Sequence, residues 1–272
     1  MLNKNTRVAV SCYAGDLKQV EQSIGLYTHH ECPVTLLSPE DAPVIINYPG
    51  VDHKHAGKRG QLGPDAWARH MAFLKILVND YPEDHFLIHE SDSFCLDPKI
   101  PAYLYKEPYT VWSNNGVSTP EHWPGFPEGS AKMSFQAPWF FSRQTIKRMI
   151  AVEHKVPYHP NLEWVDLLLS RLTEEADLPW KCFEACYLGP MSGGYDVETG
   201  RFFDPGSDTG SKTPRGSPLD EHLTKTYELG LNNGLQAVKD RGVNMVHSVK
   251  NVIAARALAA EYQKWLSRQN HA

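Results

Sequence analysis

Three apolar runs shape the opening of this chain: RVAVSCYA (7–14), CPVTLLSP (32–39) and DHFLIHE (84–90). Each has the length and aliphatic or β-branched content of a buried strand. Between the first two, Leu17, Val20, Ile24 and Tyr27 recur at three- and four-residue spacing behind Asp16, a capping residue. That spacing predicts a helix to about Thr28, with Gly25 weakening its last turn. Between the second and third runs, Trp67, Met71, Leu74 and Leu77 or Val78 mark another helix, from Asp65 to Asn79. Continuous apolar strands alternating with amphipathic helices demand parallel pairing, because each helix carries the chain back to the edge it left. The expected fold is α/β, Rossmann-related, with a mostly parallel central sheet flanked by helices.

The middle of the chain reads differently. YTVWSNN (109–115) is a strand with a polar exit, and KMSFQAPWFFSRQTIKRMIAV (132–152) is an aromatic strand entering a helix through Ser142. HPNLEWVDLLLSRLTEEA (159–176) reads as a helix capped at Asn161, and KCFEACYL (181–188) alternates like a strand. Gly189 to about Pro218 is a Gly-, Ser-, Asp- and Pro-rich loop of a length that is usually functional. VNMVHSVK (243–250) is a short strand, and an Ala-rich helix follows over 251–269. We expect one domain over 1–272. Its nucleotide-binding half covers about 1–98, a smaller mixed half about 99–250, and the C-terminal helix 251–272.

Composition narrows the class. No stretch approaches the roughly 20 apolar residues of a membrane span, and no signal-like segment opens the chain, so the expected setting is cytoplasmic. Five cysteines, mostly inside apolar runs, read as reduced thiols, and Cys182 and Cys186 lack the second pair that a structural zinc needs. A net charge of -5 gives no global nucleic-acid signature, although HKHAGKRG (53–60) and GSKTPRGS (210–217) are cationic enough locally to hold phosphate.

Chemistry concentrates in FLIHESDSF (86–94). In open α/β sheets the ligand lies beyond the carboxyl ends of the strands, which is where Glu90 and Asp92 fall. Unpaired carboxylates there are costly unless solvated or neutralised by a cation. In extended chain, positions 90 and 92 point the same way, and their hard oxygens favour Mg2+ or Mn2+ bridging to a diphosphate. His89 reads as a packing or supporting residue, and Ser91 and Ser93 as residues that orient the turn or touch a ligand.

HFLIHESDSF resembles the DxD-type metal motif of GT-A glycosyltransferases, with Glu90 in place of the first Asp and Asp92 as the second. Three further segments fall in that family's order. SFQAPWFFSRQTIKRM (134–149) is similar to its pocket-forming strand, turn and helix, with Gln136 or Ala137 where the family usually has Gly. EWVDLLLSRL (163–172) resembles the acidic helix start that supplies a general base, which implies Asp166, with Glu163 as the alternative. VNMVHSVK resembles the late histidine that completes the metal site, which implies His247, with Lys250 against the diphosphate.

The resemblance implies a GT-A-like fold, a divalent cation held by Asp92, His247 and Glu90, and a nucleotide-diphosphate sugar as donor. The nucleoside would lie against Cys12, Tyr13 and Ala14, with Asp16 reaching base or ribose, and with Arg59 and Ser91 also near the donor. Small bacterial or phage-encoded members are the best match, which for a phage protein means the host cytoplasm. The implied acceptor is a hydroxymethylated pyrimidine in DNA or a saccharide or lipid-linked hydroxyl, and Trp112, Trp123 and Trp139 are candidates to stack on it. A nucleotidyltransferase, a metal-dependent hydrolase using Glu90, Asp92 and His247, and a non-catalytic binding protein are the competing readings. GxSxG and P-loop motifs are absent from the sequence. Donor sugar, stereochemical course and oligomeric state stay open at the level of sequence.

Overall fold

The computed structural model describes residues 5–12, 17–60, 63–91, 93–95, 100–114, 136–158, 165–182, 186–188, 194–196, 201–203 and 245–247, together with 264, 267 and 268. The chain forms two compact units. The first comprises Met1–Leu17, Tyr27–Ser91 and Ile100–Phe183, and the second Lys18–Leu26, Asp92–Lys99 and Glu184–Ala272.

The first unit is built on a seven-stranded sheet. Its strands are β1 (Thr6–Ser11), β2 (Val34–Ser38), β3 (Val51–His55), β4 (His85–Glu90), β6 (Val111–Asn114), β7 (Gln136–Ser142) and β8 (Trp180–Cys182); β5 (Phe94–Cys95) lies in the other unit. Their order across the sheet is β3-β2-β1-β4-β7-β6-β8. All pairings are parallel except those of β7, which runs antiparallel to both β4 and β6. The expected mostly parallel α/β sheet is present, with one reversed strand inside it.

Among the described residues, three α-helices of this unit accompany these strands, α2 (Gly63–Asp80), α3 (Arg143–Ala151) and α4 (Val165–Glu175), while α1 (Leu17–His29) falls mostly in the other unit. Side chains alternate across each strand, so Ala9, Leu37, Phe86, Ile88, Ala137, Trp139 and Phe141 share one face. That face carries the core, formed with Trp67, Met71 and Leu77 of α2, Ile146 and Met149 of α3, and Leu168, Leu169 and Leu172 of α4. Each fully buried aliphatic or aromatic chain there contributes about 1.5–3 kcal/mol. On the opposite face a 3₁₀ turn, Ala102–Lys106, brings Tyr105 within 4.9 Å of His85 and 5.2 Å of Phe140, ring to ring, and its hydroxyl 3.0 Å from Thr6 Oγ1.

Local chemistry sets the helix ends. Ser142 caps α3 as expected, its hydroxyl accepting from Thr145 N–H at 3.0 Å. α2 ends where the Arg143 guanidinium donates to the carbonyls of Val78, Tyr81 and Glu83. α4 closes in a Schellman arrangement: Leu178 N–H reaches Thr173 O at 3.0 Å, Asp177 N–H reaches Glu174 O at 3.1 Å, and Asp177 takes φ 48°.

The second unit contains two small sheets. In one, β12 (Met245–His247) lies between β5, to which it is antiparallel, and β9 (Cys186–Leu188), to which it is parallel. In the other, β10 (Gly194–Asp196) pairs antiparallel with β11 (Arg201–Phe203), so a hairpin stands within the segment expected to be all loop.

Two expectations are corrected. KCFEACYL is not one strand: it divides between β8 of the large sheet and β9 of the small one. The segment 51–55, whose last three residues open the cationic stretch and for which the sequence predicts no element, is the edge strand β3. It escaped notice because VDHKH has no apolar run, its charges being answered from the side. Lys54 pairs with Asp80 at 2.8 Å, and Asp52 accepts from the Tyr81 hydroxyl at 2.5 Å.

Candidate functional site

Chain order along the sheet locates the place where a ligand crevice should open. From β1 the chain moves outward to β2 and β3, then returns to place β4 on the other side of β1. Connections therefore leave β1 and β4 in opposite directions, and the gap beyond their carboxyl ends is a topological switch point, the usual ligand position in such sheets.

Glu90, the last residue of β4, stands there in register with Ser11, the last residue of β1. The two strand ends are tied where Ser91 N–H donates to Ser11 O at 3.1 Å. Glu90 and Ser91 are half-buried at the end of a strand locked in the sheet. Cys12 follows on β1 with its thiol buried, 1 % exposed, and its N–H donated to Leu37 O at 3.0 Å.

Arg59 lies on the loop that leaves β3 at the same edge. That loop is braced from beneath: Arg69 of α2, 4 % exposed, donates to Lys58 O and Gly60 O at 2.6 Å each. Asp41 accepts from Arg59 N–H at 2.6 Å. Gly57, at φ 64°, passes so close that an added Cβ would stand 3.1 Å from Arg69 Cβ. Arg59 itself is exposed. Three other members of the cationic stretch are engaged within the fold: Lys54 pairs with Asp80, His53 Nε2 accepts from Ile46 N–H at 3.1 Å, and His55 Nδ1 pairs with Ser38 Oγ at 2.8 Å. Burial, the largest influence, holds His53 below the usual imidazole range, and nearby His55 adds to the effect.

Asp166 is the second residue of α4. The four-residue link from α4 to β8 anchors the helix carboxyl end at the amino edge of the sheet, where Val111 N–H meets Pro179 O at 2.8 Å. α4 packs beside α2 and α3, and its Leu168, Leu169 and Leu172 enter the shared core.

In the second unit, the β5–β12 ladder pairs Met245 with Cys95 and Val246 with Phe94. Extending that antiparallel register by one position sets His247 opposite Ser93. β5 begins two residues after Asp92, so the late histidine segment pairs in backbone with the segment that leaves the acidic motif.

Tyr13, Ala14, Asp16, Asp92, Glu163 and Lys250 lie outside the described residues, as does Trp123, and Asp166 and His247 are located by backbone alone. Among the described residues, no group of three or more His, Cys, Asp or Glu is arranged to hold a metal ion, and no helix is long and apolar enough to cross a membrane. Two stacking candidates are corrected. Trp139, 2 % exposed, lies in the core, and Trp112, 6 % exposed, packs 5.3 Å from the Tyr103 ring. Both belong to strands whose alternation buries them.

Sequence reasoning missed the bracing by Arg69 and Asp41. A usable signal for Arg69 was its place three residues after Ala66 and four before Phe73, on the buried stripe of α2. No protein-family model matches the chain, and no curated protein sequence matches it.

Proposed function

We propose that this protein is a GT-A-type, metal-dependent glycosyltransferase that moves a sugar from a nucleotide-diphosphate sugar to a hydroxyl acceptor. One observation carries the reading: the backbone pairing of β12 with β5 joins the histidine segment to the end of the acidic motif, two pieces of chain about 150 residues apart. The position of Glu90 at the switch point agrees with it.

The roles divide as follows. Asp92 and His247 would hold Mn2+ or Mg2+, with Glu90 a direct or water-mediated partner; carboxylate oxygens and an imidazole suit either ion. When bound, the cation supplies positive charge against the departing nucleoside diphosphate. Arg59 and Lys250 answer the remaining phosphate charge, and Ser91 orients the donor. The segment after β1, Cys12 to Asp16, receives the nucleoside. Asp166, or Glu163, takes the acceptor proton if the reaction inverts.

Of the two acceptor classes, a saccharide or related hydroxyl is favoured over hydroxymethylated DNA. His53 and His55 are hydrogen-bonded within the fold, Lys54 is held in a partly exposed pair with Asp80, and a net charge of -5 opposes a phosphate backbone.

A panel of nucleotide sugars with Mn2+ tests the proposal by thermal shift. A donor at 100 times its Kd stabilises by about 2.7 kcal/mol, a rise of several degrees. Asp92→Ala should abolish the Mn2+-dependent part of that rise. No shift with any donor, or turnover of a substrate without nucleotide sugar, refutes the reading. Transfer to hydroxymethylated DNA, with unmodified DNA as control, decides the acceptor class.

A further inference from the structure

His89 is the penultimate residue of β4, in register with Val10 of β1 and 0 % exposed. Its ring lies 5.8 Å from that of Tyr27, itself 1 % exposed. A fully buried imidazole in a strand of Phe, Leu and Ile must direct its polar edge somewhere specific. Nδ1 sits 2.9 Å from the main-chain carbonyl oxygen of Glu90. A carbonyl oxygen only accepts, so Nδ1 carries the proton and Nε2 is the other nitrogen's acceptor site in the neutral ring. The bond closes a small ring from one side chain to the next residue's backbone. Such local contacts dictate how the backbone departs from regular structure. Here the departure is the end of β4, where Glu90 and Ser91 meet Ser11 and from which the chain continues to Asp92.

We propose that His89 is a positioning residue: its Nδ1–H, donated to the Glu90 carbonyl, sets the direction in which the chain leaves β4 and so presents the acidic motif. The part of this that concerns metal and donor rests on the glycosyltransferase reading; the part that concerns the chain direction does not. Residues that orient metal ligands without touching the ion change affinity by about 10–100-fold when altered.

Two substitutions separate positioning from mere packing. The amide nitrogen of Asn takes the place of Nδ1, and that of Gln the place of Nε2. His89→Asn therefore keeps the donor aimed at Glu90 O, while His89→Gln, nearer in volume to His, loses it. If His89 only filled space, Gln would be the better tolerated.

In the full-length wild-type chain, long-range proton–nitrogen NMR of the His89 ring should find the proton on Nδ1; a bare Nδ1 overturns the proposal whatever the variants do. Amide exchange over 86–95 should quicken by about tenfold in His89→Gln, the loss of roughly one hydrogen bond, and stay close to wild type in His89→Asn. Equal protection in both, or equal loss in both, overturns it. Mn2+ titrated in the presence of UDP or GDP should bind about 10–100-fold more weakly to His89→Gln and nearly normally to His89→Asn. No Mn2+ binding by the wild type defeats the glycosyltransferase reading, with chain direction still decided by exchange. Normal binding by both wild type and His89→Gln defeats the positioning role alone.

Discussion

Arg7 of β1 provides the sharpest test of how the first unit is held together. Its guanidinium clasps Glu83 with both arms, Nε to Oε2 at 3.1 Å and Nη2 to Oε1 at 2.8 Å, while Nη1 donates to Thr35 Oγ1 at 3.0 Å. The plane also lies 3.9 Å over the Tyr81 ring. The two charged side chains are only 12 % and 10 % exposed. At an effective dielectric near 20, unit charges about 4 Å apart attract by about 4 kcal/mol, and desolvation of both groups offsets much of that gain. Removing one partner forfeits the attraction and keeps the other's desolvation. Arg7→Met should therefore cost about 3–5 kcal/mol. Glu83→Gln should cost about 1–3 kcal/mol, since the amide oxygen still accepts one N–H and Arg7 keeps Thr35. The double variant Arg7→Met, Glu83→Leu removes both charges and should cost less than Arg7→Met alone. Urea unfolding at constant m-value, completed as a double-mutant cycle, measures these terms. A loss under about 1 kcal/mol for Arg7→Met, typical of exposed pairs, would refute the reasoning.

Two further predictions rest on single residues. Asp177 holds φ 48° at the end of α4, a conformation that glycine adopts without strain, so Asp177→Gly should raise stability by about 0.5–1 kcal/mol, seen as a small rise in Tm. His70 is pushed down to about 4, mainly by burial, against the opposing bond from its Nδ1 to Ala66 O at 2.8 Å. The ring stays neutral in the fold while the unfolded chain binds a proton near pH 6.5. Stability should therefore be full above about pH 6.5 and fall as pH drops toward 4, by about 2–3 kcal/mol from this group. His70→Phe should remove that component from a pH series of urea midpoints.

What could be read ahead of the structure divides along a physical line. β1, β2, β4, α1 and α2 were legible because apolar side chains repeat with the period of the element, and burial imposes that period. β3 was not, because an edge strand can carry Asp52 and Lys54 if Tyr81 and Asp80 answer them from α2 and its exit. The strand at β7 was legible but its reversed direction was not, since a period has no sense of direction. At the site, Glu90 stood out as a carboxylate ending an apolar run, whereas the work of its neighbour His89 was hidden. The partner of His89 is a main-chain carbonyl, and carbonyls leave no trace in a sequence. Arg69 and Arg143 share that property, giving their donors to the carbonyls of Lys58 and Gly60, and of Val78, Tyr81 and Glu83. Each nevertheless left an indirect mark. Arg69 falls on the buried stripe of α2, His89 lies inside a buried strand, and Arg143 stands in the first turn of α3, where a cation opposes the helix dipole. A donor-rich side chain in a position that local preference reserves for another residue type must have its hydrogen bonds answered, and where no acidic side chain is at hand the backbone answers them. Such misplaced donors mark where a loop or strand end is held from beneath, which in this chain means the Arg59 loop and the exit of β4.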